Sequence, residues 1–70
     1  MNRKKNFEMN SNWTSVSEKH AHKHYRICGK KFEKEYALYE MMAVLDKKDR
    51  FWIQEKELGN QKDWLLGWKD

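Results

Sequence analysis

The stretch EYALYEMMAVLDKKD, Glu35 to Asp49, reads as either a helix or a strand, and the choice decides the fold. Glu, Ala, Leu, Met and Lys are good helix formers. Leu38, Met41, Met42 and Leu45 fall on one stripe at helical spacing, so a helix over residues 33–48 would give an α+β domain. Against this, the apolar residues run almost unbroken from Tyr36 to Leu45, with only Glu40 interrupting. Such a run also suits a long strand covered on both sides, as when a central strand bends within a small barrel. Periodicity alone leaves both readings open.

The flanking segments are clearer. WTSV (Trp13–Val16) is aromatic and β-branched and reads as a strand. HYRICG (His24–Gly29) alternates, with Tyr25 and Ile27 on one face and His24, Arg26 and Cys28 on the other. That pattern predicts a half-buried strand ending at Gly29. SEKHAHK before it is a polar connection, and KKFEKE after it a charged turn region. DKKD makes a further turn, RFWIQ (Arg50–Gln54) a further strand, and Gly59-Asn60 a turn signal. The chain then ends in a short turn or one-turn helix carrying Trp64 and Trp68, whose spacing would set both indoles on one side. Residues 1–10 are polar and aperiodic and read as a flexible basic arm, and residues 11–70 as a single small domain.

Seventy residues allow one domain with a small core. The lone Cys28 excludes an internal disulfide and points to a reducing compartment, hence the cytoplasm. Dense aromatic packing is the remaining source of stability, and four Trp, three Tyr and three Phe supply it. The net charge is +4, of which the arm's Arg3, Lys4 and Lys5 against Glu8 account for +2. The rest mixes both signs, unlike the focused basic stripe of a dedicated nucleic-acid binder. No apolar run approaches the roughly 18 residues of a membrane span, and no hydrophobic segment follows the basic N-terminus as in a secretory signal.

The pieces SNWTSV, KHYRI, MMAVLDKKDRFW and KELGNQKDWLLGW, in that order, resemble the small tryptophan-rich proteins of bacteria, a family with no established activity. Ser11, Trp13 and Thr14 carry the first likeness, and Lys23, His24 and Tyr25 the second. Ala43 and Val44 carry the third, and Glu57, Leu58, Trp64, Gly67 and Trp68 the closing one. The family's further tryptophan is replaced here by Glu55, with Trp52 three residues upstream as its candidate substitute. Relatives of this kind carry β-branched residues where this chain has Tyr36 to Met42. The resemblance therefore implies strands there, and a mainly-β fold: a four- to five-strand antiparallel meander or partly open barrel.

Candidate site residues follow from residue chemistry. His20, His22 and His24 would share one face of an extended strand, with Cys28 further along. Imidazole and thiolate suit zinc, but same-face residues stand about 6.5–7 Å apart in a line that cannot close a tetrahedron. No metal and no cofactor are expected. His20 and His22 read as polar residues on a connection. His24, which the resemblance includes, is either a ligand-facing, pH-sensitive residue or a ring packed beside an indole to hold a turn. Trp13 and Trp64 are expected in the core, with Gly67 letting the C-terminal segment fold back as a lid. Trp52 and Trp68 divide evenly between core and surface. Lys23, His24, Arg50, Trp52, Trp64 and Trp68 form the candidate binding set. The expected function is a non-enzymatic interaction module with a protein partner, including self-association through open strand edges. The alternative is a nucleic-acid binder using exposed aromatics with Lys23, Arg26, Lys30, Lys31 and the arm's Arg3–Lys5.

Overall fold

The computed structural model describes residues 7–69. Five strands form one open antiparallel sheet: β1 (Asn12–Ser15), β2 (His24–Glu33), β3 (Tyr36–Ala43), β4 (Arg50–Gln54) and β5 (Trp64–Leu66). Their order is β4-β3-β2-β1-β5, a four-strand meander whose first strand also takes the last one along its outer side. One short helix, α1 (Glu55–Leu58), connects β4 to β5.

The ambiguous stretch is a strand. Ala37, Tyr39, Met41 and Ala43 are buried on the inner face of β3, while Leu38, Glu40 and Met42 are half-buried on the outer face. Both faces take apolar residues, which is why the run looked continuous and why a helical stripe could be drawn through it. The helix over residues 33–48 is thereby corrected: β2 reaches Glu33, a turn takes Lys34 and Glu35, and β3 begins at Tyr36. Lys34 occupies the left-handed region at φ 56° in that turn. Leu45, the last residue of the supposed stripe, lies past β3 and is fully exposed.

A β-bulge explains the next misreading. Ile27 pairs with Met41, but Gly29 pairs with Glu40, so β2 carries one extra residue at Cys28. Each side chain beyond that point changes face. Tyr25 and Ile27 point inward before the bulge, and Lys30 and Phe32 lie opposite the inward Tyr39 and Ala37 after it. The alternation therefore breaks at Gly29 while the strand continues, and most of the supposed turn KKFEKE is β structure. β1 pairs with β2 only as far as Arg26, so the β2–β3 hairpin projects past it with Phe32 uncovered.

The core comprises Trp13, Tyr25, Ile27, Ala37, Tyr39, Met41, Ala43, Ile53, Leu58 and Trp64. Phe7 stacks on Trp13 at 5.7 Å and on Tyr39 at 5.5 Å, and the Asn10 N–H donates to the Ile27 carbonyl at 2.8 Å. Residues 7–10 are thus fastened to the sheet rather than belonging to a loose arm, and Arg3, Lys4 and Lys5 lie outside the described residues. The short helix falls at Glu55–Leu58, not at the C-terminal tryptophans: Glu57 accepts the Gln54 N–H, Gly59 caps the other end, and Leu58 is buried. No described helix is long and apolar enough to cross a membrane.

Candidate interaction surface

The four tryptophans divide by face. Trp13 and Trp64 are 4% and 3% exposed inside the core; Trp52 and Trp68 are 42% and 41% exposed. Trp64 is in β5 and points inward, whereas Trp68 follows Gly67, whose φ of +87° turns the chain onto the outer face. The two therefore do not share one side, because they belong to a strand and a reversed tail rather than to one helical turn.

The tail is pinned at Thr14, a buried outer-face residue of β1. Its hydroxyl donates to the Gly67 carbonyl at 2.7 Å and accepts from the Lys69 N–H at 2.7 Å. The Trp68 indole N–H donates to the Tyr25 carbonyl at 3.1 Å. Its ring lies 5.3 Å from the Arg26 guanidinium and 5.8 Å from the His24 ring. His24 Nε2 stands 2.9 Å from the Lys69 carbonyl oxygen. Of the two roles considered for His24, packing beside an indole to hold a turn is the one its contacts describe.

Trp52 lies further along the same face. Glu40 of β3 pairs with it on β4 and with Gly29 on β2, and the indole reaches across both. A Cβ on Gly29 would come within 2.9 Å of the Glu40 carboxylate and 3.3 Å of the Trp52 ring. Glycine is required there by close approach, not by a turn. The Lys31 ammonium caps the Trp52 ring at 4.5 Å. Both exposed indoles thus carry a cation, with half-buried Met42 and the carboxylate of Glu40 between them. Cys28 sits at the bulge on this surface; burial, then its hydrogen bond to Glu40 and that carboxylate's charge, push its thiol pKa up. It is held as a thiol, the unreactive form.

The histidines diverge. His20 stacks on Phe51 at 4.7 Å and 8° and leans on Trp64 at 5.1 Å, closing the open side of the core. Burial there lowers its pKa, with Lys19 adding to the effect and Asp49 and Asp63 opposing it. His22 Nδ1 meets Asp49 Oδ2 at 2.9 Å, and the fully buried Tyr25 donates its hydroxyl to the same oxygen at 2.8 Å. These two hydrogen bonds hold the Asp49 carboxyl below the usual range, while burial and Asp49 push the Tyr25 phenol up to about 12. His20 and His22 lie in the connection before β2, as expected, and only His24 lies in a strand, so the three share no strand face; what differs from the expectation is that His20 and His22 pack on Phe51 and Asp49 rather than line a polar face. Among the described residues no three His, Cys, Asp or Glu side chains are placed to hold a metal ion.

Of the candidate set, His24, Trp52 and Trp68 share the outer face with Arg50, which lies across from Met42 on β4. Arg50 is exposed, its Nε donating to the Lys47 carbonyl at 2.8 Å. Lys23 is exposed just before β2, and Trp64 belongs to the core. Sequence reasoning gave Thr14 only a place in the family likeness and Asp49 no role, because both are ordinary polar residues whose partners are 53 and 24 or more positions distant. Gly29 reads from sequence as a strand end and Lys31 as part of a charged turn and a cation of the nucleic-acid alternative, whereas both belong to β2.

The fold and this surface define a class: a small, single-sheet β protein that encloses one tryptophan pair and displays another. The chain belongs to the family of tryptophan-rich proteins (DUF2389), which it matches over residues 11–69. Comparison with curated proteins and with solved structures finds no match. Glu55, where the family resemblance calls for a tryptophan, begins α1 and accepts from the inward Tyr39 hydroxyl at 3.5 Å. Trp52 is on the opposite face and does not take that place in space.

Proposed function

We propose that the protein is a non-enzymatic binding module that engages a protein partner through the outer face of its sheet. One observation carries the reading: two indoles, each about 40% exposed, stand on one face with Arg26 and Lys31 over their rings. Trp and Arg are the residues most enriched at protein binding hot spots. Glu40 in the middle gives the surface both charge signs, which suits a protein and repels a phosphate backbone. The single cysteine, without a partner for an internal disulfide, and the resemblance to bacterial proteins favour the bacterial cytoplasm as its location.

A tagged chain expressed in its native host, beside Trp52→Ala and Trp68→Ala, tests this. A protein co-purified with the unaltered chain and weakened about 30-fold or more by either variant, as for a hot-spot loss of about 2 kcal/mol, supports the reading. Equal recovery with all three chains opposes it. A second reading has one observation in its favour, since cations interleaved with exposed aromatics also suit single-stranded nucleic acid. Oligonucleotide binding that falls steeply with salt would favour that reading instead.

A further inference from the structure

We propose that the protein self-associates through the free edge of β4, pairing with β4 of a second copy in an antiparallel register centred on Phe51. This goes beyond the outer-face reading, because it rests on backbone groups at the sheet edge.

The strand order leaves two edges, β4 and β5. Sheets blunt their edges with short strands, proline, bulges or inward charges. β5 is blunted: it is three residues long, and its Trp64 N–H already donates to the Asn60 carbonyl at 3.0 Å. β4 is not. RFWIQ has no proline, pairs with β3 without a bulge, and turns the apolar Phe51 and Ile53 inward. Beside it opens a cleft of about 350 Å³, whose far wall includes Ser17, His20 and Asp63.

The ladder identifies the free groups. The Ala43 N–H donates to the Asp49 carbonyl at 3.0 Å, which makes these residues a hydrogen-bonded pair. Such pairs alternate along an antiparallel ladder. Phe51 and Ile53 therefore bond to β3, and Arg50, Trp52 and Gln54 turn their N–H and C=O groups to the open side. Gln54 is already committed, its N–H to Glu57 at 3.3 Å and its carbonyl to the first turn of α1. Arg50 and Trp52 remain.

Only one antiparallel register joins these two residues to each other in both copies, and it sets Phe51 opposite Phe51. Arg50 and Trp52 of one chain then exchange their N–H···O=C bonds with Trp52 and Arg50 of the other. The same register lays each arginine beside the other copy's exposed indole, a cation–aromatic pair, and opposes no like charges along β4. Because the contact is isologous it closes at a dimer.

Cysteine trapping reads the register, in a Cys28→Ser background. At a two-fold axis the opposed, non-hydrogen-bonded residues have Cα atoms about 4.5 Å apart, within disulfide range. Phe51→Cys should therefore oxidise to a covalent dimer. Trp52→Cys should not, since residues two places from register are about 7–8 Å from one another. Sedimentation of the otherwise unaltered full chain should show a concentration-dependent monomer–dimer equilibrium. Arg50→Glu, an exposed change that spares the fold, should weaken it severalfold. The proposal is overturned by trapping through Trp52→Cys instead, by association that Arg50→Glu leaves unchanged, by growth into open-ended oligomers, or by a chain that stays monomeric. A monomer that still loses its protein partner on Trp52→Ala or Trp68→Ala would sink this inference alone. A dimer with no outer-face partner would sink only the other.

Discussion

Tyr25→Phe isolates the polar link between the core and the β3–β4 connection. The ring is fully buried, edge-on to Phe51 at 5.5 Å and Trp64 at 5.6 Å, and phenylalanine preserves all of that packing. What is lost is the 2.8 Å hydrogen bond from the hydroxyl to the Asp49 carboxylate. Hydrogen bonds to charged groups contribute about 1.5–3 kcal/mol. Asp49 keeps His22 as a partner and its side chain is 27% exposed, so water replaces part of the loss and the lower half applies. We expect a loss of about 1.5–2 kcal/mol by urea denaturation with an unchanged m value. At about 4–8 °C per kcal/mol for a domain of this size, Tm falls by about 6–16 °C. The pH dependence has a definite sign. Asp49 is held below its usual pKa in the fold, so the link stabilises above about pH 3.9 and is lost as pH falls through the lower folded value. The gap between the two proteins should narrow there. An Asp49→Ala background should abolish most of the effect. A loss under about 0.5 kcal/mol, or an equal loss with and without Asp49, would refute the reasoning.

Further outcomes follow from the same geometry. Gly29→Ala should cost about 1–3 kcal/mol through overpacking against Glu40 and Trp52, and less in a Trp52→Ala background; denaturation that shows no loss would contradict the close approach. Thr14→Val should release the tail, costing about 1–3 kcal/mol and removing hydrogen-exchange protection from the Lys69 amide, which should survive if the pin is incidental. Burial lowers the His20 pKa, so the unfolded chain protonates first and stability declines as pH falls below about 6.5 toward the folded value. His20→Phe should remove that part of the decline between pH 7.5 and 5.5 in urea melts; an unchanged slope would show that His20 does not titrate with folding.

Much of the architecture is written in local pattern. RFWIQ coincides with β4, and the aromatic and β-branched WTSV with β1 to within one residue. Both have one face on the core and one toward solvent or a single covering segment, the condition under which alternation is informative. β3 lacks that contrast because Leu38 and Met42 are half-buried behind it, and there the family resemblance had to separate strand from helix. The Cys28 bulge was illegible for another reason: one extra residue reverses the inward and outward sets, so a continuous strand imitates a strand followed by a charged turn. The surface was legible as residue types, not as a place. Trp52 and Trp68 stood out by chemistry, but their common face depends on Gly67 reversing the tail onto a threonine more than fifty positions away. The histidine series misled through proximity in sequence, since a loop sends His20 to Phe51 and His22 to Asp49 before the strand begins at His24.

The fold encloses Trp13 and Trp64 and leaves Trp52 and Trp68 exposed. Acrylamide quenching of the four single Trp→Phe variants tests it most directly. Replacing Trp52 or Trp68 should each remove part of the readily quenched emission, while replacing Trp13 or Trp64 should leave that component intact. Loss of the quenchable component on replacing Trp13 or Trp64, with Trp52 and Trp68 silent, would overturn this division of the tryptophans.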